Sequence, residues 1–386
     1  MKIENIVGAP VTETNFYGRE KEVKQGLNKL KSGNSLILSA PRRVGKTSFS
    51  KKMIELLEQE DWLGVYINME HLRSEMELYN ELADKLYEKR NRYEKISKGT
   101  KDFFEHFSFS IKDASIKYQD ENARNTVRTD ILRIINDPNR SGRILFVLDE
   151  LAVFLSEISN KGQNPENARA FLNWLRSVRQ DSSNKAAWIF CSSISIENYL
   201  CKYDLSSTIN DMLPFEIGEM PETEALGLIQ KLAEGTEYTI SIPVQKYILS
   251  LLGAALPHNI QGLFSAIVDE MPEGKTNVSK TIVSDAYNHL VKNATYFGTW
   301  YERLRDYTDE EVDLKKILRY MCRIPEAVTE EHLSRVVFTE PDEIDLARLD
   351  LLLRILQHDG YLIKGTDNRY AFRLNLLKDY WTYYNL

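Results

Sequence analysis

Little in this sequence staples, stiffens or breaks a chain. Its three cysteines, Cys191, Cys201 and Cys322, lie far apart, with no CxxC pair and no even count, so a disulfide framework is excluded and a reducing compartment fits best. Eleven prolines and 18 glycines in 386 residues exclude collagen-like and low-complexity classes. No uncharged stretch approaches the ~18 apolar residues of a membrane span. The opening Met1-Lys-Ile-Glu-Asn-Ile-Val-Gly-Ala-Pro10 lacks a basic region followed by an apolar core. The expectation is a cytoplasmic protein without a membrane partner. His71, His106, His258, His289, His332 and His358 never pair at i,i+3 or i,i+4, so a zinc site has no support. Positive charge is not in excess: 50 Lys+Arg against 57 Asp+Glu give −7, which disfavours nucleic-acid binding by overall charge.

What is present is a globular composition, 42% hydrophobic and 28% charged, in a chain longer than one domain of ~100–200 residues. Short apolar runs at Ser35–Ala40, Gly64–Asn68, Arg143–Leu148, Ala186–Cys191 and Leu213–Ile217 read as strands. The segments between them are long enough for helices, which predicts crossover connections and a parallel sheet covered on both faces. Thr47 to Glu60 carries Phe49, Met53, Leu56 and Leu57 on one helical face. Between Lys85 and Lys117, nine Lys/Arg meet five Asp/Glu, with Tyr93, Phe103, Phe104, Phe107 and Phe109 interleaved. That window suits a nucleic-acid surface; it suits equally an amphipathic insertion with solvated lysines, the plainer reading because no base-reading pattern accompanies it.

Pro221 with Glu222 and Glu224 marks a helix start, and helical spacing without a convincing strand continues to about Tyr307, interrupted at Gly253 and Pro257. Thr308-Asp-Glu-Glu311 reads as a capping box before Leu314, Ile317, Leu318 and Met321. Thr329 caps another helix, and Leu346, Leu349, Leu352, Leu353 and Leu356 line a third that ends at Gly360. A hairpin follows, 361–364 and 369–374 around the 365–368 turn, so the segment reads as a winged helix. The predicted division is 1–220 with a basic helical insertion at about 71–135, a helical lid at 221–307, and a winged helix at 308–386.

Chemistry concentrates in two places. Ala40, Pro41, Arg42, Arg43, Val44, Gly45, Lys46, Thr47 and Ser48 follow the first strand and open a helix, the setting of a phosphate-binding loop. Backbone amides and the helix N-terminus supply donors, Lys46 a full charge, the Thr47 hydroxyl a ligand for Mg²⁺, and Gly45 close backbone approach. Ala40 stands where the motif has its first glycine. About one hundred residues on, the apolar run 144–148 ends in Asp149-Glu150, and burying that pair is costly unless it meets a cation or lies at the sheet's carboxyl edge. Asp149 would hold hydrated Mg²⁺, and Glu150 would polarise an attacking water. The two motifs together predict ATP or ADP with Mg²⁺ as cofactor.

These residues amount to a family resemblance. Asn15-Phe-Tyr-Gly-Arg-Glu20, the 40–48 loop, Leu148-Asp-Glu150, Phe171-Leu-Asn-Trp-Leu-Arg176, the 209–215 segment and the terminal 370–381 segment resemble the prokaryotic archaeal-ATPase group, in the STAND branch of AAA+ proteins. The resemblance implies an α/β P-loop NTPase fold with a parallel sheet, then a helical lid and a winged helix. It implies that Phe16, Tyr17 and Arg19 lie at adenine and ribose, although a packed helix entry serves as well. Ser192 and Ser193 match the position that senses γ-phosphate or water, with Ser193 catalytic beside Glu150 and Lys46, and Pro257 matches a base-contacting lid proline.

AAA+ ring motors carry an arginine finger between the fourth and fifth strands, yet Ser195 to Met212 contains Lys202 and no Arg. Arg176, Arg179, Arg42 or Arg43 would have to substitute, although Arg176 and Arg179 read more simply as solvated. From Asp309 to Leu386 the charge is 11 Lys/Arg against 15 Asp/Glu, and the third helix offers only Arg348 and Arg354 to DNA. The leading expectation is an ATP-hydrolysing regulatory switch that couples nucleotide state to lid and winged-helix position, with an unidentified protein partner and with oligomerisation open. The alternatives are a DNA-binding ATPase of origin-recognition or transposition type and a nucleotide-holding scaffold.

Overall fold

A computed structural model describes residues 3–96, 121–181, 183–193, 196–293, 296–307, 309–338, 340, 344–384 and 386. Thr308 and most of the basic window, including His106, Phe103, Phe104, Phe107 and Phe109, lie outside the described residues. The chain forms two compact units, Glu20–Ala40 with Lys46–Ile217, and Met1–Arg19 with Pro41–Gly45 and Gly218–Leu386.

The first is an α/β unit on a parallel sheet of five strands, β1 (Leu36–Ser39), β2 (Leu63–Asn68), β3 (Ile144–Asp149), β4 (Ala186–Ser192) and β5 (Leu213–Pro214). All five coincide with the apolar runs of the sequence. The fifth is cut to two residues, although Phe215 N still donates to Ile37 O at 2.8 Å. The order is β2-β3-β4-β1-β5. β3 and β4 are buried along their whole length, as parallel strands covered on both faces must be. Phe146 and Trp188, opposite one another on these strands, stack at 4.5 Å.

Helix α1 (Glu20–Lys31) precedes the sheet, and α2 (Lys46–Glu58) buries Phe49, Met53, Ile54 and Leu57 against it. Ile54 takes the buried place expected of Leu56, which is half-buried. Gly64 makes this close approach workable, since a Cβ there would stand 2.2 Å from Ile54 Cγ2. Arg179, expected to be solvated, is a tie-rod. It leaves helix Pro165–Gln180 with its side chain 2% exposed, grips the Asp211 carboxylate at 2.8 and 2.9 Å, and donates to Thr208 O. The i,i+3 pattern could not show this, because Asp211 reaches the helix only through the fold.

In the second unit, helices Glu222–Glu234, Ile242–Leu252, Pro257–Asp269 and Lys280–Asn293 form the expected helical region. Pro221 caps the first, Gly253 turns at φ +81°, and Pro257 starts the third. Three more helices, Glu311–Cys322, Glu330–Val337 and Leu346–His358, lead into the antiparallel pair β6 (Leu362–Lys364) and β7 (Tyr370–Phe372), then helix Asn375–Tyr384. Thr329 Oγ1 accepts from His332 N as expected. The Glu311 helix has Glu310 at its N-cap with no side-chain cap bond. Leu349, Leu352, Leu353 and Leu356 are buried, whereas Leu346, in the first turn, is 65% exposed. Among the described residues no single helix is long and apolar enough to cross a membrane.

Candidate functional site

Strand order builds the site in the sheet unit. β4 lies between β1 and β3, so the carboxyl ends of three strands bring together the phosphate loop's base, Asp149-Glu150 and Ser192-Ser193. Lys46 is 7% exposed and its Nζ donates to Ala40 O at 2.6 Å across the loop's mouth. α2 begins at Lys46, so its first backbone N–H groups lie at the loop, beyond the reach of intrahelical acceptors. Ser48 follows on the same turn, half-buried.

Thr47 Oγ1 donates to Asp149 Oδ2 at 2.7 Å. This bond joins the two motifs that the sequence separates by about one hundred residues. Asp149, 3% exposed, also accepts from Glu150 N on Oδ1 at 3.1 Å and from the Tyr66 hydroxyl on Oδ2 at 2.7 Å. Burial, then the neighbouring Asp149 charge, pushes the Tyr66 hydroxyl well above the usual phenol range. Nearby, the buried Cys191 thiol is likewise raised by burial, and its Sγ lies 3.3 Å from Ser50 Oγ.

Glu150 has left-handed backbone, φ +59° and ψ +40°, a conformation that costs a non-glycine residue ~1–2 kcal/mol. Such strain turns the chain sharply from the sheet edge into helix Leu151–Ile158. Ser193 N and Oγ both donate to Glu150 Oε2, at 3.1 and 2.7 Å. The expected acid and the expected sensing serine are therefore one hydrogen-bonded pair. Ser192, 1% exposed, closes β4 opposite Ser39.

The crest of the loop, Pro41–Gly45, groups with the second unit. Arg43 and Gly45 have φ of +69° and +98°, and a Cβ on Gly45 would meet nothing within 4 Å, which leaves the backbone open to approach. Arg19, itself at φ +64° and 3% exposed, donates from Nη2 to Val44 O at 2.9 Å and to Gly218 O at 2.8 Å. Its backbone N donates to Glu224 Oε2 at 3.0 Å. Arg19 thus braces the crest through main-chain carbonyls. Tyr17 packs its hydroxyl over Gly227, where a Cβ would stand 2.1 Å away, and Phe16 beside it is half-buried. Pro257 opens its helix with His258 next to it, whose imidazole is pushed down to about 3 by burial and by the Arg43 charge. Gly360, at φ +85°, packs on Pro41, a Cβ there being 2.6 Å from Pro41 Cβ.

Tyr66 and Glu224 are the members that the sequence did not single out. Tyr66 stood only as a strand residue and Glu224 only as a first-turn acid; the alternation of β2 would have placed Tyr66 on a definite face, but not on which neighbour. Arg348 and Arg354, the residues offered to DNA, are engaged by neighbouring acids. Arg348 bonds Asp313 at 2.7 and 3.1 Å, and Arg354 pairs with Asp350 at 3.0 Å.

No protein-family model matches the sequence, and no curated protein matches it. Solved structures do. The Walker-type ATPase PABY2304 of Pyrococcus abyssi aligns over 97% of this chain and 99% of its own, at a TM-score of 0.69 and 16% identity. The Aeropyrum pernix ORC2 protein, solved as ADPNP-ADP complexes, aligns over 96% of this chain and 95% of its own, at a TM-score of 0.58 and 13% identity. With the sheet, loop and carboxylates already in place, the fold of this chain is that of the Walker-type P-loop ATPases.

Proposed function

We propose that this protein binds ATP with Mg²⁺ and hydrolyses it slowly, as a regulatory switch of the STAND type of AAA+ ATPase. The observation that carries the reading is the Thr47–Asp149 hydrogen bond, which unites a phosphate-loop hydroxyl with the carboxylate that closes β3. A hydroxyl and a carboxylate are hard oxygen donors, the set Mg²⁺ takes, so the residues fit the ion. When bound, Mg²⁺ neutralises phosphate charge. Backbone amides of residues 41–47 and Lys46 would hold the phosphate oxygens. ADPNP and ADP in the ORC2 neighbour support adenine nucleotides as the ligand class.

Glu150 is the residue to orient and deprotonate the attacking water, and Ser193 fixes the carboxylate that does so. Phe16, Tyr17, Arg19 and Pro257 are proposed at the nucleoside end. The three helices with the β6-β7 hairpin are read as a winged helix whose position follows nucleotide state, through the crest that Arg19 and Gly360 contact. Because Arg348 and Arg354 are already paired, the winged helix is assigned to a protein partner rather than to DNA. Calorimetric titration with ATP tests the assignment. Lys46→Ala is expected to weaken binding by about 100-fold, the scale of a charge-assisted phosphate contact, and unaltered affinity would refute the phosphate loop.

A further inference from the structure

Asp149 is held by more than its Walker-type partner. Its backbone is fixed just past the end of β2, where Met69 N donates to Asp149 O at 2.9 Å, and its Oδ2 accepts from two hydroxyls, Thr47 and Tyr66, each at 2.7 Å. Tyr66 reaches this oxygen from the middle of β2, opposite Val147 of β3, and Lys51 Nζ of α2 lies 5.1 Å from its ring centroid. A strand, a helix and a neighbouring strand thus converge on one carboxylate oxygen.

Resting on the nucleotide reading above, we propose that Tyr66 is a positioning residue for the magnesium site. A carboxylate has about four lone-pair positions, and Thr47, Tyr66 and Glu150 N occupy three of them. The Tyr66 donor locks the rotation of the carboxyl group, so Oδ2 stays where Thr47 can give it its only hydroxyl proton. With that proton committed to Asp149, Thr47 Oγ1 meets a cation through its lone pairs and not through its hydrogen. Without Tyr66, the carboxylate turns and the hydroxyl loses its fixed acceptor. Tyr66 touches neither nucleotide nor water in this account; it acts through Asp149 and Thr47.

The experiment is calorimetric titration of ATP into the full chain, once with excess Mg²⁺ and once with EDTA, for the wild type and for Tyr66→Phe. The phenylalanine keeps the ring and its packing and removes only the donor. The expected result is that the gain in affinity on adding Mg²⁺ shrinks about tenfold in the variant, the scale on which residues that orient metal ligands act. Affinity in EDTA stays at the wild-type value, while the melting temperature falls modestly, because a hydrogen bond to a buried carboxylate is lost. An unchanged Mg²⁺-dependent gain overturns the inference alone. Equal losses with and without Mg²⁺ also overturn it, because they mark Tyr66 as a packing residue. A wild type whose affinity ignores Mg²⁺ overturns the proposed function and this inference with it.

Discussion

The carboxyl edge of the sheet and helix Leu346–His358 both carry acids and bases, but they handle charge in opposite ways. At the sheet edge, Lys46 and Asp149 are 7% and 3% exposed, and each polar group is bonded to another member of the site. On helix Leu346–His358, Arg354 and Asp350 are 59% and 62% exposed and satisfy one another as an i,i+4 pair. Burying charge costs free energy that a surface pair never spends, so a cluster of buried charges at a strand edge signals a ligand, whereas an exposed pair signals solubility.

That contrast can be broken from either side. The largest effect is expected at Glu150: Glu150→Gln keeps the shape and the Ser193 contacts but removes the base, so turnover should fall ~10²–10⁴-fold with ATP affinity retained. Phosphate release beside calorimetry measures both, and wild-type turnover would remove Glu150 from catalysis. Next comes His258, neutral beside Arg43, with its imidazole pushed down to about 3. The unfolded chain takes up this proton below the ordinary histidine value of ~6.5 and the folded chain does not. Stability should therefore be full above that pH and decline as pH falls toward about 3. Urea midpoints measured at pH 7 and pH ~4.5 should show a smaller difference in His258→Gln than in the wild type. The smallest effect belongs to Arg354→Ala, expected to cost less than ~0.5 kcal/mol and to leave duplex DNA binding at low salt unchanged. A salt-dependent loss of DNA affinity in that variant would erase the contrast and make the helix a nucleic-acid contact.

Much of this was legible because the signals are local. A loop after an apolar run, with Gly45 and Lys46 opening an amphipathic helix, encodes its own geometry: glycine supplies positive φ, and the helix start supplies the donors. Thr329 capped its helix for the same reason, since a hydroxyl three residues before a free N–H needs no tertiary partner. The misreadings involve distant partners. Arg179 looked like a surface residue because Asp211 is distant in sequence, and Leu346 looked buried because helical spacing does not reveal where the packed face begins.

The sequence by itself determined the strands, the helical regions, the loop and the identity of the two carboxylates, because periodicity, turn chemistry and charge placement act over a few residues. Only the tertiary structure decided that β4 lies between β1 and β3 and so delivers Ser193 to Glu150, and that β2 lies beside β3 and so delivers Tyr66 to Asp149. Strand order is set by how crossovers pack their helices on the sheet, a property of the whole unit that no short window of residues contains.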